Sequence, residues 1–311
     1  MENLITIREA VTEDEIAYFW EQLYLYFKRD IFADKPIADL SYFLGSEYHE
    51  QMMKLHARQQ DRCFFLFFER GGQEIGFAMP VIYTTEDGKC FIMEFCVKPE
   101  YRGNGTGREC ARMLLSWAKE NGAQYAELNY GGDERRKRFW QSVGFRKNGA
   151  DEWGDPLMLL PPNEDVPVTI EILTDPEEWQ LRKLENGYLQ EIGEEPLAEE
   201  KQERLSQAIR DGSITFFMAK RGHRAVGMCS VVQAFSTFAC CNTGIFEDFY
   251  IEPVFRGKGI ARMLARAAQN WSMENGLASL TVTCAPCDEG MYQVLGFDAR
   301  LGANARIKVD H

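Results

Sequence analysis

The chain has 311 residues, of which 45% are hydrophobic and 27% charged, a composition typical of an ordinary soluble globular protein. Its net charge is −13 and both halves are acidic, which disfavours a nucleic-acid partner. No apolar run reaches the roughly 20 residues of a membrane span, and the N-terminus lacks the basic and apolar regions of a secretory signal. We therefore expect a cytoplasmic protein with no membrane partner, whose nine cysteines are mostly reduced thiols.

The predicted elements of the first half are strands and helices in mixed order. A strand at residues 5–8 precedes a helical region that extends to about residue 60. Strands follow at residues 63–69, 74–83 and 91–97, and the last one ends before Pro99, which cannot donate to a strand ladder. A helix, a strand at 125–130 and a helix near 134–142 complete this half.

The second half repeats this order. The proline-rich segment at residues 155–167 predicts a boundary, so we expect two domains, 1–160 and 166–311. Beyond it we predict a strand at 168–173 and a mainly helical region at 175–211. A hairpin of 214–220 with 225–232 and a strand at 245–251 follow. The expected fold class is α/β, with a mixed α+β sheet in each domain.

The two halves also share an internal repeat without gaps at a constant offset of 154 residues. Solenoid periods are roughly 20–50 residues, so this longer period indicates a duplicated domain. The residues that meet an identical residue in the second copy are Phe95, Pro99, Arg102, Gly103, Gly105, Arg108, Ala111, Arg112, Trp117, Glu120, Asn121 and Gly122.

The repeated segment is a strand, a glycine-rich turn and an amphipathic helix. The first N–H groups of such a helix lack intrahelical partners, and the helix dipole is positive there. In the second copy, Gly257 and Gly259 allow close approach of the backbone, and Arg256 and Lys258 add positive charge. This turn suits a diphosphate, although one copy alone would equally fit a plain strand–turn–helix connection. Neither turn carries the Walker or the dinucleotide pattern.

Both turns resemble the cofactor motif of the GNAT superfamily of N-acetyltransferases, Arg/Gln-x-x-Gly-x-Gly/Ala. The motif matches RGNGTG at residues 102–107 and RGKGIA at residues 256–261. The elements WQSVGF and YQVLGF resemble the usual end of the family's domain. The resemblance covers nearly the whole chain as two tandem domains, each expected to be a mostly antiparallel, splayed sheet flanked by helices. The segment IFEDFYIEPVFRGKGIA looks particularly like the small-amine branch, which includes polyamine and aminoglycoside acetyltransferases.

The resemblance implies that each half binds acetyl-CoA, without a metal. In the first half the expected contacts are Cys96, Val97, Arg102, Gly103, Asn104, Gly105, Thr106, Gly107 and Arg108. In the second half they are Tyr250, Ile251, Arg256, Gly257, Lys258, Gly259, Ile260, Ala261 and Arg262.

The same resemblance implies direct attack of a primary amine on the thioester. The amine must be neutral although its free pKa is about 10, so a carboxylate takes its proton. A backbone N–H near Ile251 would stabilise the oxyanion, and Tyr292 would protonate the departing thiolate. Glu247 and Asp248 are adjacent on a strand and are expected to face opposite sides, one of them into the cleft. The alternatives are an ion pair or a solvated edge for these carboxylates, and simple packing for Tyr292.

The first half departs from the pattern. Trp140 stands where the tyrosine is expected, and Met93 replaces Glu247, which leaves Glu94 as the equivalent of Asp248. We therefore expect the first half to bind acetyl-CoA but to be impaired in chemistry, with Tyr130 as the candidate substitute for the missing tyrosine.

The leading hypothesis is an N-acetyltransferase that acts on a primary amine of a small molecule, with the second half as the catalytic one. One alternative is an acyl-CoA-binding or sensing protein with degenerate catalysis. Another is an acetyltransferase for protein or peptide amines. The chain is expected to be a monomer or a homodimer.

Overall fold

The computed structural model describes residues 4–33, 41–151, 153–161 and 166–302. The chain divides into two compact units, Met1–Glu164 and Asp165–His311. Both are mixed α/β folds with a largely antiparallel sheet, which confirms the predicted fold class.

The first unit places helices on both sides of its sheet. Its elements are β1 (Ile5–Glu9), α1 (Glu13–Tyr26), a π-helical turn (Phe27–Ile31), α2 (Ser46–His56), β2 (Arg62–Cys63), β3 (Leu66–Arg70), β4 (Gln73–Tyr83), β5 (Lys89–Val97), a 3₁₀ turn (Pro99–Tyr101), α3 (Thr106–Glu120), β6 (Tyr125–Asn129), α4 (Glu134–Val143), β7 (Arg146–Ala150) and β8 (Pro156–Leu160). Within the described residues the sheet order is β1-β3-β4-β5-β6-β8-β7, with β2 also paired to β4. Among the described strands of this unit, only the β5–β6 pair is parallel. Helix α1 begins at a capping box, in which Thr12 and Glu15 each bond the other's backbone N–H.

The predicted boundary at residues 155–167 is wrong in its first part. Residues Pro156–Leu160 form β8, which pairs with both β6 and β7, and its three central residues are buried. Pro156 is the first residue of the strand, a position that proline tolerates. The predicted strand at 63–69 is likewise divided into β2 and β3.

The second unit repeats this plan with fewer described strands. Its elements are β9 (Val168–Ile172), α5 (Trp179–Ile192), α6 (Glu199–Arg210), β10 (Ile214–Arg221), β11 (Arg224–Ser236), β12 (Cys241–Ile251), a 3₁₀ turn (Pro253–Phe255), α7 (Ile260–Glu274), β13 (Leu280–Val282) and α8 (Glu289–Val294). Their order in the sheet is β13-β12-β11-β10-β9, and among these described strands only β12–β13 is parallel.

β5 and β12, the strands that precede the two glycine-rich turns, are the central strands of the two units. The residue that follows the central strand is positively charged in the first unit and negatively charged in the second. Lys98 follows β5, and its Nζ lies 2.8 Å from Oε1 of Glu74 at the start of β4. Glu252 follows β12, and its Oε2 accepts a hydrogen bond of 2.9 Å from Nε of Arg224 at the start of β11. The second pair is almost fully buried. Each ion pair ties the end of the central strand to its neighbour.

Across the described part of the chain, no helix combines the length and apolar character that a membrane crossing requires.

Candidate active site

In both units the central strand separates from its parallel neighbour partway along. The β5–β6 pairing covers Lys89 to Phe91, while β5 continues to Val97. The β12–β13 pairing covers Gly244 to Phe246, while β12 continues to Ile251. Each sheet therefore opens on one side of the second half of its central strand, in front of the glycine-rich turn.

The glycine-rich turns hold the backbone in conformations that favour glycine. Gly105 and Gly259 precede α3 and α7 with φ of +84° and +85°, and no side chain caps either helix. Gly103 and Gly257 also have positive φ, as does Asn104. A Cβ atom at any of the four glycines would meet no atom of the described residues within 4 Å. An uncapped helix start beside such open glycines suits an anionic group.

The remaining predicted residues of the two turns differ in exposure. Thr106 and Ile260 are buried, and the N–H of Thr106 donates to the carbonyl of Gly103 at 3.0 Å. A Cβ at Gly107 would lie 3.1 Å from the Phe139 ring, which explains the small residue there. Arg108 and Arg262 are exposed, whereas Lys258 and Ala261 are partly buried.

Arg102 fastens the first turn instead of presenting a free charge. Its Nε donates to the carbonyl of Val97 at 2.7 Å, and its guanidinium contacts Asp30 on the π-helical turn at 2.6 Å. The hydrogen bonds from Arg102 and Arg29 outweigh burial and hold the pKa of Asp30 at about 2. Neighbouring Cys96 is buried, which raises the pKa of its thiol to about 11. It therefore stays protonated at neutral pH.

Arg256 makes the same two contacts in the second unit. Its Nε donates to the carbonyl of Ile251 at 2.8 Å, and its guanidinium pairs with Glu191 of α5. The guanidinium also lies 5.7 Å from the centre of the Tyr250 ring. A Cβ at Gly187 would lie 2.8 Å from Oη of Tyr250, so a larger residue there would require the ring to shift. Because a carboxylate faces each arginine, both add less positive charge to the turns than the sequence suggests.

Asp248 lies on a β-bulge that the sequence does not predict. The β11–β12 register shifts at this point, and Asp248 has φ of +50°. Its carboxylate accepts a hydrogen bond of 2.6 Å from Ser230 Oγ. This bulge interrupts the regular alternation of side chains from which opposite faces are expected for Glu247 and Asp248. Burial, followed by the charges of Asp248, Glu185 and Glu247, raises the pKa of Tyr188.

The two carboxylates share their surroundings with a third acid that sequence reasoning missed. Glu185 of α5 is buried, and burial followed by the charge of Asp248 raises its pKa to about 8. Burial also raises the pKa of Asp248, against the hydrogen bond from Ser230. The pKa of Glu247 is raised by burial and by Asp248.

Tyr292 of α8 lies against the aromatic side chains of the second unit. Its ring centre is 6.1 Å from that of Phe249 and 5.9 Å from that of Phe297. Burial, followed by Cys284 and Tyr188, raises the pKa of Tyr292 to about 12. Its phenol is therefore protonated at neutral pH, as a proton donor must be.

The first unit has a similar frame but different chemistry. Glu94 is partly buried on β5, and burial raises its pKa to about 8 although Arg136 opposes the shift. Trp140 is buried, with its ring centre 5.1 Å from that of Phe95. Tyr130, the candidate substitute for the missing tyrosine, is buried in the same apolar cluster.

Among the described residues, no three His, Cys, Asp or Glu side chains are grouped so that they could hold a metal ion.

Each unit thus combines an open splay of its sheet with an uncapped helix start. The model of the acetyltransferase (GNAT) family matches residues 20–145 and 178–297. The chain belongs to this family, and it contains the family's domain twice. No curated protein matches the sequence significantly.

Solved structures similar to this chain each correspond to about half of it. An aminoglycoside acetyltransferase from an uncultured soil metagenomic sample is 16% identical, covers 48% of this chain and 99% of its own, and has a TM-score of 0.42. A predicted acetyltransferase with acetyl-CoA from Clostridium acetobutylicum is 14% identical, with coverage of 46% and 96% and a TM-score of 0.40. A ribosomal-protein-alanine N-acetyltransferase from Brucella melitensis biovar Abortus 2308 is 16% identical, with coverage of 46% and 100% and a TM-score of 0.40. Identities this low concern the fold alone.

Proposed function

We propose that the protein is an acetyl-CoA-dependent N-acetyltransferase for a primary amine of a small molecule, and that the second unit performs the transfer. The observation that carries this proposal is the bulge of β12, where Ser230 Oγ holds the Asp248 carboxyl at 2.6 Å and the Tyr292 ring lies 6.1 Å from that of Phe249. A carboxylate at this position attracts a cationic amine and can take its proton.

The residues of the second unit fit acetyl-CoA. The open turn at Gly257 and Gly259 and the uncapped start of α7 suit its diphosphate, and the splay beside Tyr250 and Ile251 leaves backbone groups of β12 available. Exposed Arg262 adds positive charge at the first turn of α7. Bound acetyl-CoA supplies an acetyl group activated as a thioester.

Asp248 and Glu247 serve as proton acceptors. A primary amine has a pKa of about 10 and arrives as ammonium, so it must lose a proton before it can attack. Burial raises the pKa of both carboxyls, which makes each a stronger base than a solvated acid. Ser230 holds the Asp248 carboxylate by a hydrogen bond of 2.6 Å, and so fixes its direction.

Tyr292 serves as the proton donor. With a pKa of about 12 it keeps its phenolic proton at neutral pH. It lies near Phe246 and Phe249 of β12, the strand that carries Asp248. Donor and acceptor therefore belong to one region.

The first unit is proposed to bind acetyl-CoA without efficient transfer. Its turn at Gly103 and Gly105 has the same open geometry as the second. However, Trp140 cannot donate a proton to a thiolate effectively, and Glu94 has no second acid beside it at Met93. This asymmetry also supports the alternative of an acyl-CoA-sensing role, but for the first unit only.

The test is a thiol-release assay on the full-length protein across a panel of small amines and peptides. Two matched variants, Gly105→Glu and Gly259→Glu, place the same charge in the turn of one unit at a time, at backbone φ of +84° and +85°. We expect transfer to be lost with G259E and retained with G105E. Loss with G105E alone would assign catalysis to the first unit. If none of the amines in the panel led to release of thiol, the proposal would be refuted.

A further inference from the structure

The segment that leads into α4 differs in charge from its counterpart in the second unit. The Gly-Phe pairs at residues 144–145 and 296–297 match at an offset of 152 residues. At this offset the segment 133–138, DERRKR, corresponds to the segment 285–290, APCDEG. Four basic and two acidic residues give the first segment a net charge of +2, and two acidic residues alone give the second a net charge of −2. The glycine-rich turns of the two units nevertheless have the same open geometry.

Helix α4 brings part of this charge to the start of α3. A Cβ at Gly107, in the first turn of α3, would lie 3.1 Å from Cε2 of Phe139 on α4. Arg135 and Arg136 precede Phe139 by four and three residues, so they are its neighbours on the same face of α4, with Cβ atoms about 5–6 Å apart. A Cβ at Gly131 would lie 3.2 Å from Nη1 of Arg136, so this guanidinium lies against the loop between β6 and α4. Both arginines therefore lie near the start of α3.

Neither of these two arginines is neutralised within the described part of the chain. Arg135 is exposed and Arg136 is partly buried, and neither side chain makes a hydrogen bond or an ion pair with another described residue. By contrast, Lys137 pairs with Glu134 at 2.9 Å. The carboxylate of Asp133 is engaged as the cap of α4. Two uncompensated positive charges thus lie beside a turn that suits an anionic group.

The second unit has different residues at the positions of these arginines. Cys287 stands in place of Arg135, and the exposed Asp288 stands in place of Arg136. The exposed arginine in the first turn of α3 has an exposed counterpart in α7, so it does not distinguish the two units. An arginine attracts an anionic ligand, whereas an aspartate repels it. The two turns therefore offer an anion the same backbone in opposite electrostatic surroundings.

We infer that the first unit is the tighter of two CoA sites, because Arg135 and Arg136 attract the phosphate groups of CoA, whereas Cys287 and Asp288 of the second unit do not. This inference rests on the proposed function, in which both turns receive the diphosphate. The first unit therefore remains loaded at CoA concentrations at which the second unit exchanges its cofactor. Such a division suits a first unit that binds acetyl-CoA without efficient transfer and a second unit that must release CoA after every turnover.

The experiment is a calorimetric titration of CoA into the full-length protein at low salt, with one turn blocked at a time. Gly259→Glu leaves the first unit to bind CoA, and Gly105→Glu leaves the second. We expect the Kd of the first unit to be at least about 10-fold lower than that of the second, because the two segments differ by four charges. At about 1 M salt the screening length is about 3 Å, so most of this difference should disappear.

Two double variants in the Gly259→Glu background locate the effect. Arg135→Gln with Arg136→Gln should raise the Kd of the first unit by about 5- to 30-fold, the combined effect of two partly exposed charges beside an anion. Arg146→Gln with Lys147→Gln is the control, because it removes the same charge from two exposed residues just beyond the other end of α4. These lie roughly 15 Å away, beyond the screening length of about 8–10 Å, so the control should change Kd by less than about twofold.

The reverse test is Asp288→Arg in the Gly105→Glu background, which should lower the Kd of the second unit by about 5- to 30-fold. Thermal unfolding confirms that each variant is folded. Equal affinities of the two units at low salt would overturn the inference, and so would an equal loss of affinity in the control variant. If neither Gly105→Glu nor Gly259→Glu changed the affinity or the stoichiometry of CoA binding, the turns would not hold the diphosphate, and the proposed function would fail instead.

Discussion

Two glycines at opposite ends of α7 allow the diphosphate site to be tested with a matched pair of substitutions. Gly259 precedes the helix with φ of +85°, and Gly276 follows it with φ of +70°. A Cβ at either position would meet no atom of the described part of the chain within 4 Å. Glu at either position therefore adds the same charge in open space and the same kind of backbone strain.

Gly259→Glu should destabilise the fold less than Gly276→Glu. Left-handed backbone costs a non-glycine residue about 1–2 kcal/mol in both variants. The helix dipole stabilises a negative charge at the N-terminus and destabilises it at the C-terminus, by about 0.3–1 kcal/mol each. We expect the free energy of unfolding to fall by about 1 kcal/mol for G259E and about 2 kcal/mol for G276E.

The effects on CoA affinity should have the opposite order. A charge about 4–5 Å from a phosphate at an effective dielectric constant near 20 is repelled by about 3–4 kcal/mol, which raises Kd by at least about 100-fold. Helix α7 has 15 residues, so Gly276 lies roughly 22 Å away, beyond the screening length of about 8–10 Å. G276E should therefore leave Kd unchanged.

The measurement combines thermal unfolding with calorimetric titration of CoA. Both substitutions are made in a Gly105→Glu background, so that the turn of the first unit does not contribute to the titration. If G276E weakened CoA binding as much as G259E, or if G259E left it intact, the diphosphate would not lie on this turn.

Three further predictions concern the second unit. Tyr292→Phe should lower kcat by about 10- to 100-fold and leave the Kd of CoA unchanged, whereas equal losses would contradict a donor role. Gly187→Ala should lower the free energy of unfolding by about 1–3 kcal/mol, since its Cβ would lie 2.8 Å from Tyr250 Oη; an unchanged Tm would show that the Tyr250 ring moves aside easily. Glu185 keeps its proton to about pH 8 when folded but loses it near 4.5 when unfolded, so stability should fall as pH rises from 5 to 8, by at most about 5 kcal/mol. Tm measured across this range should show a decline that Glu185→Gln removes, and an unchanged slope in that variant would refute the assignment.

The sequence predicts the elements that its repeat and its turns mark. Glycines with positive φ in both turns stand where the motif places them, since no other residue adopts such backbone as readily. By contrast, the sequence predicts a boundary where β8 lies, because Pro156 begins this strand. A proline-rich segment resembles a boundary until its strand partners are known.

The parts of the site that depend on distant contacts were not predictable. A bulge at Asp248 appears only when the register against β11 is known. Nothing in the local pattern of α5 distinguishes Glu185 from other helical acids, because its burial arises from packing against β11 and β12. The charge of Arg256 is compensated by Glu191, which lies 65 positions away in the sequence.

The reversed ion pairs of the two units have a consequence for how a duplicated chain folds. Homologous strands carried on one polypeptide are potential substitutes for each other during synthesis. If β12 were to take the place of β5, Glu252 would approach Glu74, and the converse exchange would bring Lys98 against Arg224. A charge that meets its own sign instead of a partner costs several kcal/mol at a buried position such as that of Arg224 and Glu252. We therefore expect the opposite polarities to disfavour exchange of the two strands, although both are followed by similar glycine-rich turns.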